Sequence, residues 1–344
     1  MTILIPLPDL HSDSTLLPTP DDVAADGVPA DLPGTKLYPA DIASRQRAFL
    51  AAATADNTRR AYRGALRHFL AWGGALPADE ASLLRYLLDF AATLNARTLA
   101  LRLTALSQWH VQQGFNDPAA SHTVRKTLTG ISRTYGSPAR KAIALQLDDL
   151  ERIATHLAGL DTLVARRNNA LLQAAYFGAF RRSEVVGLTV AHLQWEPQGV
   201  VIQLARSKTD QHGGGMVKAI PYGDGACCPA TALRDWLDAG GISAGPVFRS
   251  ISKWGVIGER ALHAGSVNTI LAECALAARV RNAAALSSHS LRRGMATSAW
   301  RAGASLRDIK RQGGWRNDAM VQGYIDDADR FDDNAAAPLL RKKR

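Results

Sequence analysis

Apolar residues in this chain recur at helical spacing along almost its whole length, and the period falls to two in one stretch, residues 198–221. There Val200, Val201, Ile202 and Leu204 precede a polar turn at 210–215, loosened by Gly213, Gly214 and Gly215, after which come Val217 and Ile220. The fold class this predicts is mainly α, with an all-helical N-terminal domain followed by an α-rich domain that carries a small antiparallel β-hairpin or sheet. At 344 residues the chain is long for a single core, so two domains are the expectation.

The boundaries follow composition. Residues 1–42 are rich in Pro, Asp, Ser and Thr without sustained periodicity, and are expected to form a disordered acidic tail. Residues 43–135 read as a helical domain, with helices over 57–72, 79–93, 97–113 and 119–134. The first of these has Asn57 or Thr58 as its cap and Tyr62, Leu66, Phe69 and Leu70 on its inner face. Arg59, Arg63 and Arg67 make a basic stripe on the other face. Residues 136–145 form an extended linker in which Arg140 and Lys141 are available to phosphates. The second domain, 146–330, has helices near 147–158, 166–179, 229–238, 265–280, 290–302, 305–311 and 317–325, and 331–344 form a C-terminal tail.

Charge narrows the partners. The net charge is +10, yet residues 1–32 hold six Asp and no Lys or Arg, so the remainder carries +16. A surface this basic favours a polyanion, most simply nucleic acid. Three cysteines, two of them adjacent at Cys227 and Cys228, cannot build a disulfide framework and fit a reducing cytoplasm. No His/Cys spacing suggests zinc, and no cofactor or metal is expected. The first seven residues are apolar but lack a basic flank and are broken by Pro6, which argues against a signal peptide. Nothing approaches the roughly 20 apolar residues that would cross a bilayer, so no membrane partner is expected.

The chemistry is carried by six residues in one order: Arg181, Lys208, His289, Arg292, Trp315 and Tyr324. Two guanidiniums, an ammonium, an imidazole and an indole N–H can hold a phosphodiester, and a phenol placed last can attack it. His-x-x-Arg alone is no guide. It occurs at His122–Arg125 as well as at His289–Arg292, about as often as chance allows. The surrounding text is more specific: Gly-Ala-Phe-Arg-Arg-Ser-Glu from Gly178 to Glu184, Leu-Ser-Ser-His-Ser-Leu-Arg-Arg-Gly from Leu286 to Gly294, and Gly313-Gly314-Trp315 ahead of Tyr324.

On those segments the chain resembles the tyrosine recombinases of the phage integrase family, over about residues 45–330 and most strongly over 166–325. The resemblance implies a SAM-like helical DNA-binding domain joined to the tyrosine recombinase catalytic fold. It makes Arg181 the first catalytic arginine with Glu184 three positions on, Lys208 the β-hairpin lysine, His289 and Arg292 the His-x-x-Arg box, and Tyr324 the nucleophile. Trp315 takes a position where many members have a second histidine. The implied activity is site-specific DNA recombination through a 3′-phosphotyrosyl intermediate, without metal or ATP. The implied partners are double-stranded DNA with an inverted-repeat site and three further copies, making a homotetramer on two sites from a free monomer or weak dimer. The tail after Tyr324 would dock on a neighbouring protomer, and the location would be cytoplasmic and nucleoid-associated, in a bacterial or phage-encoded setting.

Elementary chemistry supports the same roles. Preorganised cations lower the barrier by binding charge that grows on the phosphate oxygens in the transition state. A phenol with pKa about 10 needs help to attack at neutral pH, from His289 as proton acceptor or from the field of the arginines. Lys208 would protonate the departing 5′ oxygen, and Glu184 would orient His289 or an arginine. For DNA reading, Ser266 and Asn268 open the helix near 265–280, while Arg59, Arg63 and Arg67 position phosphates. Rival readings are a type IB topoisomerase, which relaxes DNA without pairing sites, and a DNA-binding regulator that keeps the fold without the chemistry.

Overall fold

The computed structural model describes residues 53–138, 141–204, 215–328 and 336–340, together with residues 42, 44–46 and 49. The chain folds as two compact units that divide between residues 139 and 140.

The first unit contains α1 (Asp56–Ala71), α2 (Glu80–Phe90), α3 (Ala96–Gln112) and α4 (His122–Tyr135). Local chemistry sets three of the starts. Asp79, Asn95 and Ser121 each accept a backbone N–H from the first turn of α2, α3 and α4, which satisfies donors that a helix leaves unpaired. Helix α1 begins one residue earlier than expected, after Ala55, without a side-chain cap. Leu66, Phe69, Leu83, Tyr86, Leu99 and Leu106 meet in one core. The buried His110 is fully paired: Nδ1 donates to Leu106 O at 2.7 Å and Nε2 accepts the Ala78 N–H at 2.9 Å.

The basic stripe on α1 is shorter than the sequence suggests. Arg59 is 3% exposed, its guanidinium turned back onto Thr54 O and the Asp56 carboxylate. Arg63 is half-buried and Arg67 exposed. Helical spacing places the three on one side of the helix, but Arg59 is held at its first turn by Thr54 and Asp56 and is out of water.

The second unit is built on α6 (Leu163–Phe177), which packs against α5 (Leu147–Ala158), α8 (Pro229–Gly240) and α10 (Ser288–Arg301). Ten of the fifteen residues of α6 are buried, the polar Arg167, Asn168 and Gln173 among them, as befits the helix at the centre of the unit. Trp236, Tyr176, Phe180 and Phe248 anchor the core. Leu145, placed in the linker by sequence, is 1% exposed and donates its N–H to Ser290 O, so the second unit begins before residue 146.

Period two at 198–221 is one part of a three-stranded antiparallel sheet in which β2 (Gly199–Leu204) lies between β1 (Leu193–Glu196) and β3 (Met216–Pro221). Ile220 faces inward as expected. Val217 faces water at 64% exposure and Lys218 takes the inward place, because positions 217 and 220 have opposite parity on a strand. A second small sheet pairs β4 (Arg249–Ile251) with β5 (Ile257–Ala261), which the sequence did not signal. The remaining helices are α7 (Arg182–Val186), α9 (Ser266–Ala277), α11 (Leu306–Gly313), α12 (Asp318–Ala328) and α13 (Ala337–Leu340). Among the described residues no helix is long and apolar enough to cross a membrane.

Candidate active site

Three turns of the second unit converge. The first follows α6. Phe177-Gly178-Ala179-Phe180 reverses the chain, with Ala179 in the left-handed region at φ 44°, a conformation that costs a β-carbon residue on the order of 1 kcal/mol. Arg181 comes next and opens the five-residue α7. Its backbone N–H donates to Glu184 Oε2 at 2.9 Å and its Nη1 to Oε1 at 2.5 Å. Glu184 therefore orients an arginine, one of the two alternatives open in the sequence.

The second turn is the start of α10. Ser287 and Ser290 close it reciprocally, and Asn268 Oδ1 accepts the Ser288 N–H at 2.8 Å. The Asn268 amide oxygen thus fixes the N-terminus that presents His289. His289 and Arg292, three apart, share one helix face. Arg292 is 6% exposed and donates Nη1 to Ala179 O, which ties α10 to the first turn.

The third turn is Gly313-Gly314-Trp315, and both glycines are explained by geometry. Gly314 ends α11 in the left-handed region at φ 65°, and a β-carbon on Gly313 would stand 1.8 Å from the Trp315 ring. The turn lays the buried indole against the Arg292 guanidinium, 4.1 Å from ring centre to the guanidinium carbon. Trp315 then meets Tyr324 edge-on at 6.1 Å and 70°. Tyr324 is half-buried on α12, beside the fully buried Val321 and Ile325 that seat the helix.

Arg181, Glu184, His289, Arg292, Trp315 and Tyr324 are thereby collected in one place. Lys208 and Arg140 lie outside the described residues, and Lys141 is exposed. The second His-x-x-Arg, His122–Arg125, belongs to the first unit. Two of the other tyrosines are occupied elsewhere. Tyr176 donates its hydroxyl to Ser298 Oγ at 2.8 Å and its pKa is pushed well up by burial, while Tyr86 is fully buried.

Electrostatically the pocket is cation-rich. Burial, and after it the charge of Arg181, lowers the Arg292 pKa to about 10; Glu184 and Tyr324 act the other way. His289 keeps one face open to water, yet partial burial and then Arg292, Arg182 and Arg181 hold its imidazole below the usual value. At neutral pH it is therefore the free base, able to accept a proton. Among the described residues, Nη2 of Arg292 and Nε1 of Trp315 are buried donors without a hydrogen-bond partner. Two such donors beside crowded guanidiniums fit an anionic acceptor. No group of three or more His, Cys, Asp or Glu side chains with metal-binding geometry occurs among the described residues.

Sequence reasoning set aside or missed three participants. Arg293, the residue after Arg292, lies over the Tyr324 ring at 5.4 Å. Lys218 is 1% exposed beside Phe180, and its pKa is lowered to about 7 by burial first and then by Arg292 and Arg181. Gln312 bonds across to Phe177 O and Ala219 O. Strand parity was the available signal for Lys218: it shares the inward register of Ile220.

Comparison with known proteins agrees with this arrangement. Residues 144–330, more than half of the chain, match the model of the phage integrase family. The chain is 35% identical to an integrase/recombinase XerD homolog of Selenomonas ruminantium over 297 residues, covering 84% of this chain and 86% of the relative. It is 27% identical to the Cre recombinase of Escherichia phage P1, covering 75% and 78%. Among solved structures it shares its fold with XerH site-specific recombinase bound to a palindromic difH substrate, at TM-score 0.60 and 17% identity over 86% of this chain and 84% of that one. A λ integrase (75–356) dimer on a core site superposes at TM-score 0.53 and 14% identity, covering 83% and 94%. A mainly helical chain with this cationic pocket defines the class of tyrosine-type site-specific recombinases. The chain belongs to the phage integrase family.

Proposed function

We propose that this recombinase cuts and rejoins DNA by attack of the Tyr324 hydroxyl on a backbone phosphate. The phenol oxygen forms a bond to phosphorus as the bond to the 5′ oxygen breaks, leaving a 3′-phosphotyrosine and a free 5′-hydroxyl. His289, held in its neutral form, receives the phenol proton, and Lys208 delivers one to the departing 5′ oxygen. Arg181 and Arg292 neutralise charge that grows on the non-bridging oxygens, with Glu184 fixing Arg181 and Trp315 fixing Arg292 while offering its own N–H. The guanidiniums supply the positive charge, and the phosphotyrosine keeps the energy of the phosphodiester. The cycle as proposed therefore draws on neither a metal nor ATP, and a second 5′-hydroxyl completes strand exchange by the reverse step.

The observation that carries this reading is the contact chain Arg292–Trp315–Tyr324, with unpaired buried donors on its first two members and the charge of Arg181 acting on Arg292. The test uses a nicked suicide duplex carrying a site selected by the chain from a randomised inverted-repeat library. The parent chain should become covalently attached and Tyr324→Phe should not; equal attachment by both would overturn the assignment. Relaxation of plasmid lacking the selected site would favour the topoisomerase alternative. DNA binding with no attachment by the parent would favour the idle regulator.

The same proposal makes the partner an inverted-repeat duplex, with phosphates met by Arg63, Arg67 and Lys141, in a cytoplasmic, nucleoid-associated setting. Four copies would pair two sites, reactive two at a time. Leu339 and Leu340 on α13 are 85% and 81% exposed, an apolar pair suited to docking on a neighbouring protomer. Removing residues 334–344 should weaken pairing of two sites; unchanged pairing would refute the docking role.

A further inference from the structure

The end of α6 leaves carbonyls that the helix cannot use, and where they go is informative. Those of Ala174, Ala175 and Tyr176 accept backbone N–H groups from Gly178, Phe180 and Ala179. The next three are taken by side chains from three different elements. Gln312 Nε2, on α11, donates to Phe177 O at 2.9 Å. Lys218 Nζ, on β3, donates to Gly178 O at 2.7 Å. Arg292 Nη1, on α10, donates to Ala179 O.

Two of the three donors, Lys218 and Gln312, are also tied to one another. Lys218 Nζ gives a second bond to the Gln312 carbonyl, and Gln312 Nε2 a second to Ala219 O at 3.2 Å, beside Lys218 on β3. Lys218 is 1% exposed, so it cannot itself reach a phosphate. Its ammonium nonetheless sits in the field of Arg292, Glu184 and Arg181, and over the Phe180 ring at 5.0 Å. Arg181 directly follows Phe180, Trp315 comes three residues after Gln312, and β3 begins eight residues after Lys208 in the chain.

We propose that Lys218 and Gln312 are positioning residues: with Arg292 they clamp the consecutive carbonyls of Phe177, Gly178 and Ala179, fixing the Arg181 turn, β3 and the Trp315 turn in one register for strand cleavage. The inference rests on the phosphotyrosyl reading and adds two residues that touch no DNA. A clamp of this kind acts on rate rather than affinity, because sub-ångström misplacement of charge-stabilising groups costs transition-state binding first.

The test measures DNA affinity and the single-turnover rate of covalent attachment at saturating suicide duplex, for the full chain. Lys218→Met keeps the length and removes both donors, Lys218→Gln restores an amide donor, and Gln312→Ala opens the other half. Affinity should stay within about two-fold while the attachment rate falls by roughly 30-fold for Lys218→Met and about 10-fold for Gln312→Ala, with Lys218→Gln recovering part of the loss. The double variant should be scarcely slower than Lys218→Met, since both act through one clamp. A wild-type rate for Lys218→Met, or losses that multiply in the double variant, would overturn the clamp. Should Lys218→Met not fold, an unchanged rate for Gln312→Ala overturns it alone. Failure of the parent chain to attach would instead sink the phosphotyrosyl reading.

Discussion

The Arg292 guanidinium lies on the face of the Trp315 indole, 4.1 Å away, and the same indole meets the Tyr324 ring edge-on. One side chain thus fixes a buried cation on one face and the candidate nucleophile at its edge. Its indole N–H remains unpaired and buried among the described residues. Packing and proton donation can be separated by substitution. Trp315→Phe keeps the stack and loses the donor, and should slow covalent attachment by about 100-fold to 1,000-fold, as loss of one donor to a developing charge does. Trp315→Ala also frees Arg292 and should cost roughly ten times more. Equal rates for the two, measured at saturating duplex, would show that the indole only fills space.

Gly313 faces the same ring. A methyl group there would stand 1.8 Å from indole carbons, so Gly313→Ala must displace Trp315. The expected result is a loss of about 1–3 kcal/mol in urea unfolding of the second unit, with a slower attachment rate. Normal stability and normal rate together would mean that the turn is loose enough to move aside.

These two glycines show where sequence stopped being sufficient. Gly313-Gly314-Trp315 was legible as text, but its cause is a contact between residues two apart that only coordinates display. Helices were readable because α-period apolar spacing is strong over ten or more residues, as in α2 and α12. Strands β4 and β5 have three and five residues, with an irregular register between Arg249 and Ile251 and largely unburied side chains, so no alternation marks them. Lys218 was overlooked because lysine is expected in water, although strand parity puts it with Ile220. Arg59 failed for the opposite reason: four-residue spacing fixes a face, and tertiary packing decides whether that face is wet.

That difference along α1 is measurable. Arg67→Ala should weaken binding to all duplexes alike and reduce the slope of log affinity against log salt by about one, the signature of a lost phosphate contact. Arg59→Ala should instead lower the melting temperature of the first unit and leave the salt slope intact, because its guanidinium serves Thr54 and Asp56. A changed slope for Arg59→Ala would return it to the DNA-facing stripe.

Two titrations give pH tests of opposite kind. His289 has a lowered pKa, so it remains the neutral base below the usual imidazole value and loses that form only at lower pH. The acid limb of the attachment rate should accordingly lie below about 6.5, and His289→Gln should remove it. A limb at or above that value that survives the substitution would assign it to another group.

Lys218 affects stability. Its folded pKa is about 7 against an unfolded 10.5, so between those values the unfolded chain binds the proton and the folded chain does not. Stability from this group therefore rises as pH increases from about 7 towards 10. Urea unfolding at pH 7 and 9.5 should show that rise in the parent relative to Lys218→Met. Parallel behaviour of the two chains would mean that Lys218 keeps its charge.

The central claim is the bond between Tyr324 and a DNA 3′ phosphate. It is tested most directly by digesting the covalent complex formed on the suicide duplex and sequencing the nucleotide-bearing peptide by mass spectrometry. The account predicts one modified residue, Tyr324, carrying a 3′-linked phosphate, with a free 5′-hydroxyl on the released strand. Modification of any other side chain, or a 5′-linked phosphate on the protein, would contradict it.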